Sequence, residues 1–204
     1  MITKEYFQEY WQNHYNNIPP IGYILRNQFF NDRWFRIHSL PNSKRYADNN
    51  KEMQIILDRQ NTLIDDLIGK KNEYLLVFLF YSEHADFELT KEIPNIILLD
   101  TIRLDTVSSE YYEDEYYLIA GFVNSIWESG SVDRYLSRIA NEGKIINFDN
   151  SNDNSCSVLI MNMKQNRIIA PYDGGVDIFL NTQSERDFYK SKYKEWLSFT
   201  ESGL

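Results

Sequence analysis

The sequence predicts an α+β fold, a mainly antiparallel β-sheet with helices at both chain ends and packed on one face. Three observations carry this. Tyr74 to Tyr81 is an unbroken apolar run of eight residues, the pattern of a strand buried on both sides. Apolar segments over 157–163, 167–172 and 176–180 are separated by turn-length breaks, which join neighbouring strands antiparallel. Apolar residues at helical spacing recur near both ends of the chain. A doubly wound α/β fold is the alternative, and it needs regular crossover helices that 74–123 does not supply.

The elements follow in order. Phe7, Tyr10, Trp11, Tyr15 and Ile18 make one helical stripe after the cap candidate Thr3, and Pro19-Pro20 ends it. A short apolar stretch, Ile21 to Leu25, leads into a strand over 33–38 that sends Trp34, Arg36 and His38 to one face and Phe35 and Ile37 to the other. Leu40 to Ser43 is a turn. Met53, Ile56, Leu57, Leu63, Ile64, Leu67 and Ile68 predict the clearest helix, capped by Asp48 or Asn50 and ended by Gly69. The run from Tyr74 belongs in the middle of the sheet. Pro94 marks Ile96 to Leu99 as an edge strand or a strand start, and Tyr116 to Val123 is a further buried strand. Val132, Tyr135, Leu136 and Ile139 predict a helix over 131–141, and 149–155 reads as a loop. The three late strands follow, the first two joined by the hairpin Lys164-Gln165-Asn166. A last helix over 184–199 places Phe188, Tyr189, Tyr193, Trp196 and Leu197 on one side.

With 204 residues, 43% of them apolar, the chain is long enough for one core, and we expect a single domain over 1–204, with 1–70 as an optional helical subdomain. Eight Gly and five Pro argue against disorder and loop-rich scaffolds. The single Cys156 cannot form an internal disulfide, which fits a reducing cytoplasm and leaves no cysteine framework for zinc. No basic start leads into an apolar run, and no window approaches the ~18 apolar residues of a membrane span. The 22 Ile and 20 Asn against five Ala reflect a compositional bias, so single asparagines are not read as ligands.

The net charge of -9 is unevenly placed. Residues 1–70 hold nine Lys/Arg and eight Asp/Glu, and 131–204 hold nine and ten, whereas 71–130 hold three and twelve. The surplus is densest at Glu110, Glu113, Asp114 and Glu115. Such a segment repels nucleic acid and attracts a basic protein partner, or simply serves as a solvated loop.

Arg33-Trp-Phe-Arg-Ile-His-Ser-Leu-Pro41, Ser43-Lys-Arg-Tyr-Ala47, Tyr172-Asp-Gly-Gly-Val-Asp177 and the closing Tyr193, Trp196-Leu197 and Glu201-Ser-Gly-Leu204 resemble bacterial proteins of the domain-of-unknown-function family 3885. The likeness touches both ends of the chain, about half its length. It implies a bacterial intracellular protein and brings no catalytic residue with it.

Three clusters carry the chemistry. Arg36, His38, Lys44, Arg45 and Tyr46 gather donors suited to a carboxylate or phosphate, and an imidazole beside arginines is held neutral, able to act as a base. The same residues also suit an internal ion-pair network. Tyr172-Asp173-Gly174-Gly175-Val176-Asp177 presents Asp173 on a flexible turn, either toward a ligand or simply to make the turn, while Asp177 is placed to pair with the basic cluster. Glu83, His84, Asp86 and Glu88 match no metal template, so no metal or other cofactor is expected.

The chain contains no G-x-S-x-G, G-x-x-x-x-G-K-[ST], H-E-x-x-H or G-x-G-x-x-G motif. Two functions remain. One is a non-enzymatic protein-binding module of immunity or antitoxin type, meeting its partner through Glu110, Tyr112, Glu113, Asp114 and Glu115, since tyrosine favours interface cores. The other is an enzyme or small-ligand receptor for an anion, with Arg36, Lys44 and Arg45 as clamp, His38 as base and Asp173 as its orienter. The binding module needs one exposed surface and is favoured; catalysis stays open.

Overall fold

The computed structural model describes residues 4–16, 18–29, 31–82, 100–107, 116–142, 156–198 and 200. Helix α1, Lys4–Tyr15, buries Phe7, Tyr10, Trp11 and Tyr15, four positions of the predicted stripe. The apolar stretch after Pro20 is itself a helix, α2, Gly22–Phe29. Strand β1, Trp34–His38, is followed by a 3-10 turn at Pro41–Ser43 and by helix α3, Asn50–Ile68. The α3 cap is Asn49, between the two candidates: its side chain accepts from the amides of Lys51 and Glu52. Gly69 ends the helix at φ 84°, a conformation that glycine adopts without a Cβ clash.

Strands β2, Glu73–Ser82, β3, Asp100–Val107, and β4, Tyr116–Ile126, precede helix α4, Asp133–Glu142. Strands β5, Cys156–Asn162, β6, Arg167–Tyr172, and β7, Gly175–Phe179, then lead to helix α5, Gln183–Lys192, and a 3-10 turn at Lys194–Trp196. The predicted final helix therefore stops at Lys192, and Phe188, expected on its packed side, is 64% exposed. Strand β3 has no counterpart in the sequence reading. The expected strand at 96–99 and loop at 149–155 lie outside the described residues.

The described strands form one seven-stranded sheet in the order β1-β7-β6-β5-β2-β4-β3, with every pairing antiparallel. The predicted α+β class with an antiparallel sheet holds. Strand β2 lies between β5 and β4, in the interior where its apolar run predicts it.

The helices, however, cover both faces rather than one. Phe35, Ile37, Val158, Ile160, Ile169, Val176 and Ile178 pack against Leu63, Ile64 and Leu67 of α3, Leu136 and Ile139 of α4 and Tyr189 of α5. On the other face Trp34, Leu75, Val77, Leu159, Met161, Ile168 and Ala170 meet Phe7, Tyr10 and Trp11 of α1 and Leu25 of α2. Strands β2, β5 and β6 are apolar on both sides, and a sheet with two apolar faces needs a layer on each. No described helix is long and apolar enough to cross a membrane.

Candidate functional site

The α2 side of the sheet carries a polar exception to its apolar core. In β1 the alternation puts Trp34, Arg36 and His38 on one face, as the sequence predicts; that face is the α2 side, and β7 places Asp177 directly opposite Arg36. Arg36 donates from Nε to Asp177 Oδ1 and from Nη2 to Oδ2, both at 2.8 Å, and the Trp34 indole N–H donates to the same Oδ1 at 2.9 Å. The guanidinium also lies 4.3 Å from the centre of the Tyr172 ring. Burial alone would lower the Arg36 pKa, but the hydrogen bonds and charge of Asp177 outweigh it and raise the value.

The β6–β7 turn completes this corner. Residues Tyr172 and Gly175 pair across it, while Ser39 N–H donates to the Gly174 carbonyl at 3.1 Å. Gly175 is required by close approach: a Cβ there would overlap the carbonyl oxygen of Ile37. Asp173 Oδ2 accepts from Arg45 Nε at 2.7 Å and from the Tyr46 hydroxyl at 2.8 Å. That carboxylate is thus bound to the loop after β1 rather than to His38.

Between this corner and α2 opens a cavity of about 620 Å³, lined by Arg26, Arg36, His38, Arg45, Tyr172 and Asp173 together with Tyr23, Ser43, Ser157 and Asp177. Its volume lies in the ~300–1,000 Å³ range of small-molecule sites. Apolar wall comes from Ile21, Leu159, Ala170 and Pro171. Helix α2 sits close to β6 because both contribute small residues: a Cβ on Gly22 would lie 3.2 Å from that of Ala170.

His38 Nε2 is buried and has no hydrogen-bond partner. Burial first, and then the Arg36 charge, hold the imidazole below its ordinary pKa, against a smaller opposing effect of Asp177. Arg59 donates to the His38 carbonyl at 3.1 Å and lies over the Trp196 ring, so the far end of β1 is tied to α3. The Tyr172 hydroxyl is pushed above its ordinary range, chiefly by burial.

Five of the seven expected ligand-site residues, Arg36, His38, Arg45, Asp173 and Asp177, line the one cavity. Tyr46 stands behind it, half-exposed and bonded to Asp173. Lys44 does not join: its ammonium meets Asp48 and Glu52, both at 2.6 Å, because these carboxylates follow it at the start of α3. Arg36 is also no free clamp, since Asp177 occupies two of its donors. The sequence reading missed Arg26 and Tyr23, whose only signal was a short apolar stretch of unassigned structure. Glu83, His84, Asp86 and Glu88, and the partner-binding candidates Glu110, Tyr112, Glu113, Asp114 and Glu115, lie outside the described residues. Among the described residues no group of three or more His, Cys, Asp or Glu could hold a metal ion.

An antiparallel sheet covered on both faces, with a polar cavity beside its first strand, defines an α+β protein with a candidate small-ligand site. Residues 21–199 match the family model described as a domain of unknown function, DUF3885, and the chain belongs to that family. The match takes in every residue that lines the cavity. No curated protein and no solved structure matches the chain.

Proposed function

We propose that the protein is a small-ligand-binding protein that takes an anion in the cavity between α2, β1 and the β6–β7 turn. The observation that carries this is the cavity that gathers Arg26, Arg36 and Arg45 with His38, a residue whose Nε2 atom is buried without a partner. Arginine forks around it supply the charge and the planar donor geometry that carboxylates and phosphates need. The single cysteine fits a reducing compartment, so the ligand is sought among cytoplasmic small molecules.

Isothermal titration of the full chain with acetate, benzoate, inorganic phosphate and phenyl phosphate tests the site. At least one should bind, and Arg26→Ala should weaken that binding by about tenfold, the scale of one charge-assisted contact. Failure of all four, or an unchanged affinity in the variant, overturns the reading.

A second reading, a protein-binding module of immunity type, is favoured by the twelve acidic residues against three basic ones over 71–130. Its test is co-purification with the products of neighbouring genes before and after Glu113→Lys, Asp114→Lys and Glu115→Lys together. A basic partner lost on charge reversal supports it; a partner retained in full removes it.

A further inference from the structure

The arginines of the cavity are not equivalent, and their pairing narrows the ligand. Arg36 is neutralised by Asp177, whose two oxygens it grips at 2.8 Å each. Arg45 is neutralised by Asp173, with Nε 2.7 Å and Nη2 2.6 Å from Oδ2. Arg26, half-buried on α2, has no ion-pair partner among the described residues. Among the described residues three guanidinium groups against two carboxylates leave one positive charge with His38 neutral, as its lowered pKa supports. We infer that the cavity selects a monoanion, a carboxylate bound by the Arg26 fork; this rests on the anion-site reading above.

The walls make that charge count selective. Ile21, Leu159, Ala170 and Pro171 are buried apolar surface, and a second negative charge held beside them without a countercharge loses hydration that no described cavity residue replaces. Recruiting Arg36 for a dianion would divide its single charge between the ligand and Asp177, a carboxylate only 5% exposed. Recruiting Arg45 would likewise divide its charge between the ligand and Asp173. A planar carboxylate needs neither change, since a single guanidinium matches it with two parallel hydrogen bonds. The cavity is also too large for so small a group alone, so the carboxylate is one end of a larger molecule.

Benzoate and phenyl phosphate share a ring and differ in charge at about pH 7.5, where a phosphate monoester is mostly dianionic. Titrated into the wild-type chain, benzoate should bind roughly tenfold more tightly. Asp173→Asn adds a surplus positive charge and should shift the preference toward phenyl phosphate by about the same factor. Arg45→Gln, at a side chain that is 64% exposed, removes the surplus and should weaken both ligands. Tighter binding of phenyl phosphate by the wild type, or a ratio unmoved by Asp173→Asn, overturns the monoanion inference and leaves the anion site standing. Binding of neither ligand, nor of acetate or inorganic phosphate, removes the site and this inference with it.

Discussion

Arg36 and Asp177 face each other across the β1–β7 ladder and close a bidentate ion pair with side chains only 11% and 8% exposed. The pair joins the first strand of the sheet to the last, over a sequence separation of 141 residues, and it forms one wall of the cavity. A buried pair of this kind contributes little net stability when intact, because both charges lose their hydration. Its disruption is another matter. Arg36→Met leaves the Asp177 carboxylate buried with only the Trp34 N–H, and the expected loss is about 3–5 kcal/mol. The double variant Arg36→Met/Asp177→Leu should recover most of it, with a residual cost of about 1 kcal/mol for the lost hydrogen bond from Trp34 to Asp177. Urea denaturation of the single and double variants measures both values.

Gly175 is the second constraint on this corner. Any side chain at that position runs into the Ile37 carbonyl, a backbone atom that cannot turn aside. Gly175→Ala should therefore separate β1 from β7 and destabilise the fold by at least about 2 kcal/mol. Gly174→Ala meets the edge of the Tyr172 ring at 3.0 Å, a side chain able to shift, and should cost less. Thermal melts of the two variants side by side show whether the order holds.

Stability should fall on mild acidification, in a direction set by His38. Its folded-state pKa is depressed, by burial first and by Arg36 second, so the unfolded chain binds the proton more readily. The His38 contribution is fully present above the unfolded value of about 6.5 and is lost as pH falls through the folded value. His38→Gln should flatten the part of the stability–pH curve that lies below about pH 6.5. Melting temperatures of the wild type and the variant across that window give the comparison; parallel curves would show that His38 titrates as it does in the unfolded chain.

The cap of α3 offers a local test. Asn49 accepts from two amides at 3.0 and 3.1 Å, whereas Asn50 is already the first helical residue. Asn49→Ala should cost about 1 kcal/mol and Asn50→Ala much less. Denaturation midpoints of the two variants separate the positions.

The error at that cap shows how far local pattern reaches. Asp48, Asn49 and Asn50 are all competent caps, and only the backbone, extended at Asn49 with φ −159°, decides among them. Strand β6 could be read to the residue, because Arg167 to Tyr172 is a compact apolar run bounded by a turn on each side. The apolar stretch Ile21 to Leu25 is too short to show a period, and the helix over it lies close against Ala170 of β6. At the site, the alternation in β1 correctly grouped Arg36 with His38, and the spacing from Gly175 put Asp177 within reach of them. Lys44 went elsewhere because its carboxylate partners follow it at short range, in a segment whose path the sequence left open.

Periodicity and composition thus determined what depends on near neighbours: the antiparallel late strands, the buried β2, the helix end at Gly69, the facing of β1 and the acidic excess over 71–130, whereas the first helix stops at Tyr15, short of the Pro19-Pro20 end that the sequence predicts. The tertiary structure alone decided what depends on residues far apart in the chain. It placed helices on both faces of the sheet, brought Arg26 of α2 over β1 and the β6–β7 turn, and settled which arginine takes which aspartate, Arg36 with Asp177 and Arg45 with Asp173. The physical reason is that a charged side chain's partner is set by which surfaces the core brings together, and burial of apolar area fixes those surfaces without reference to the charge pattern.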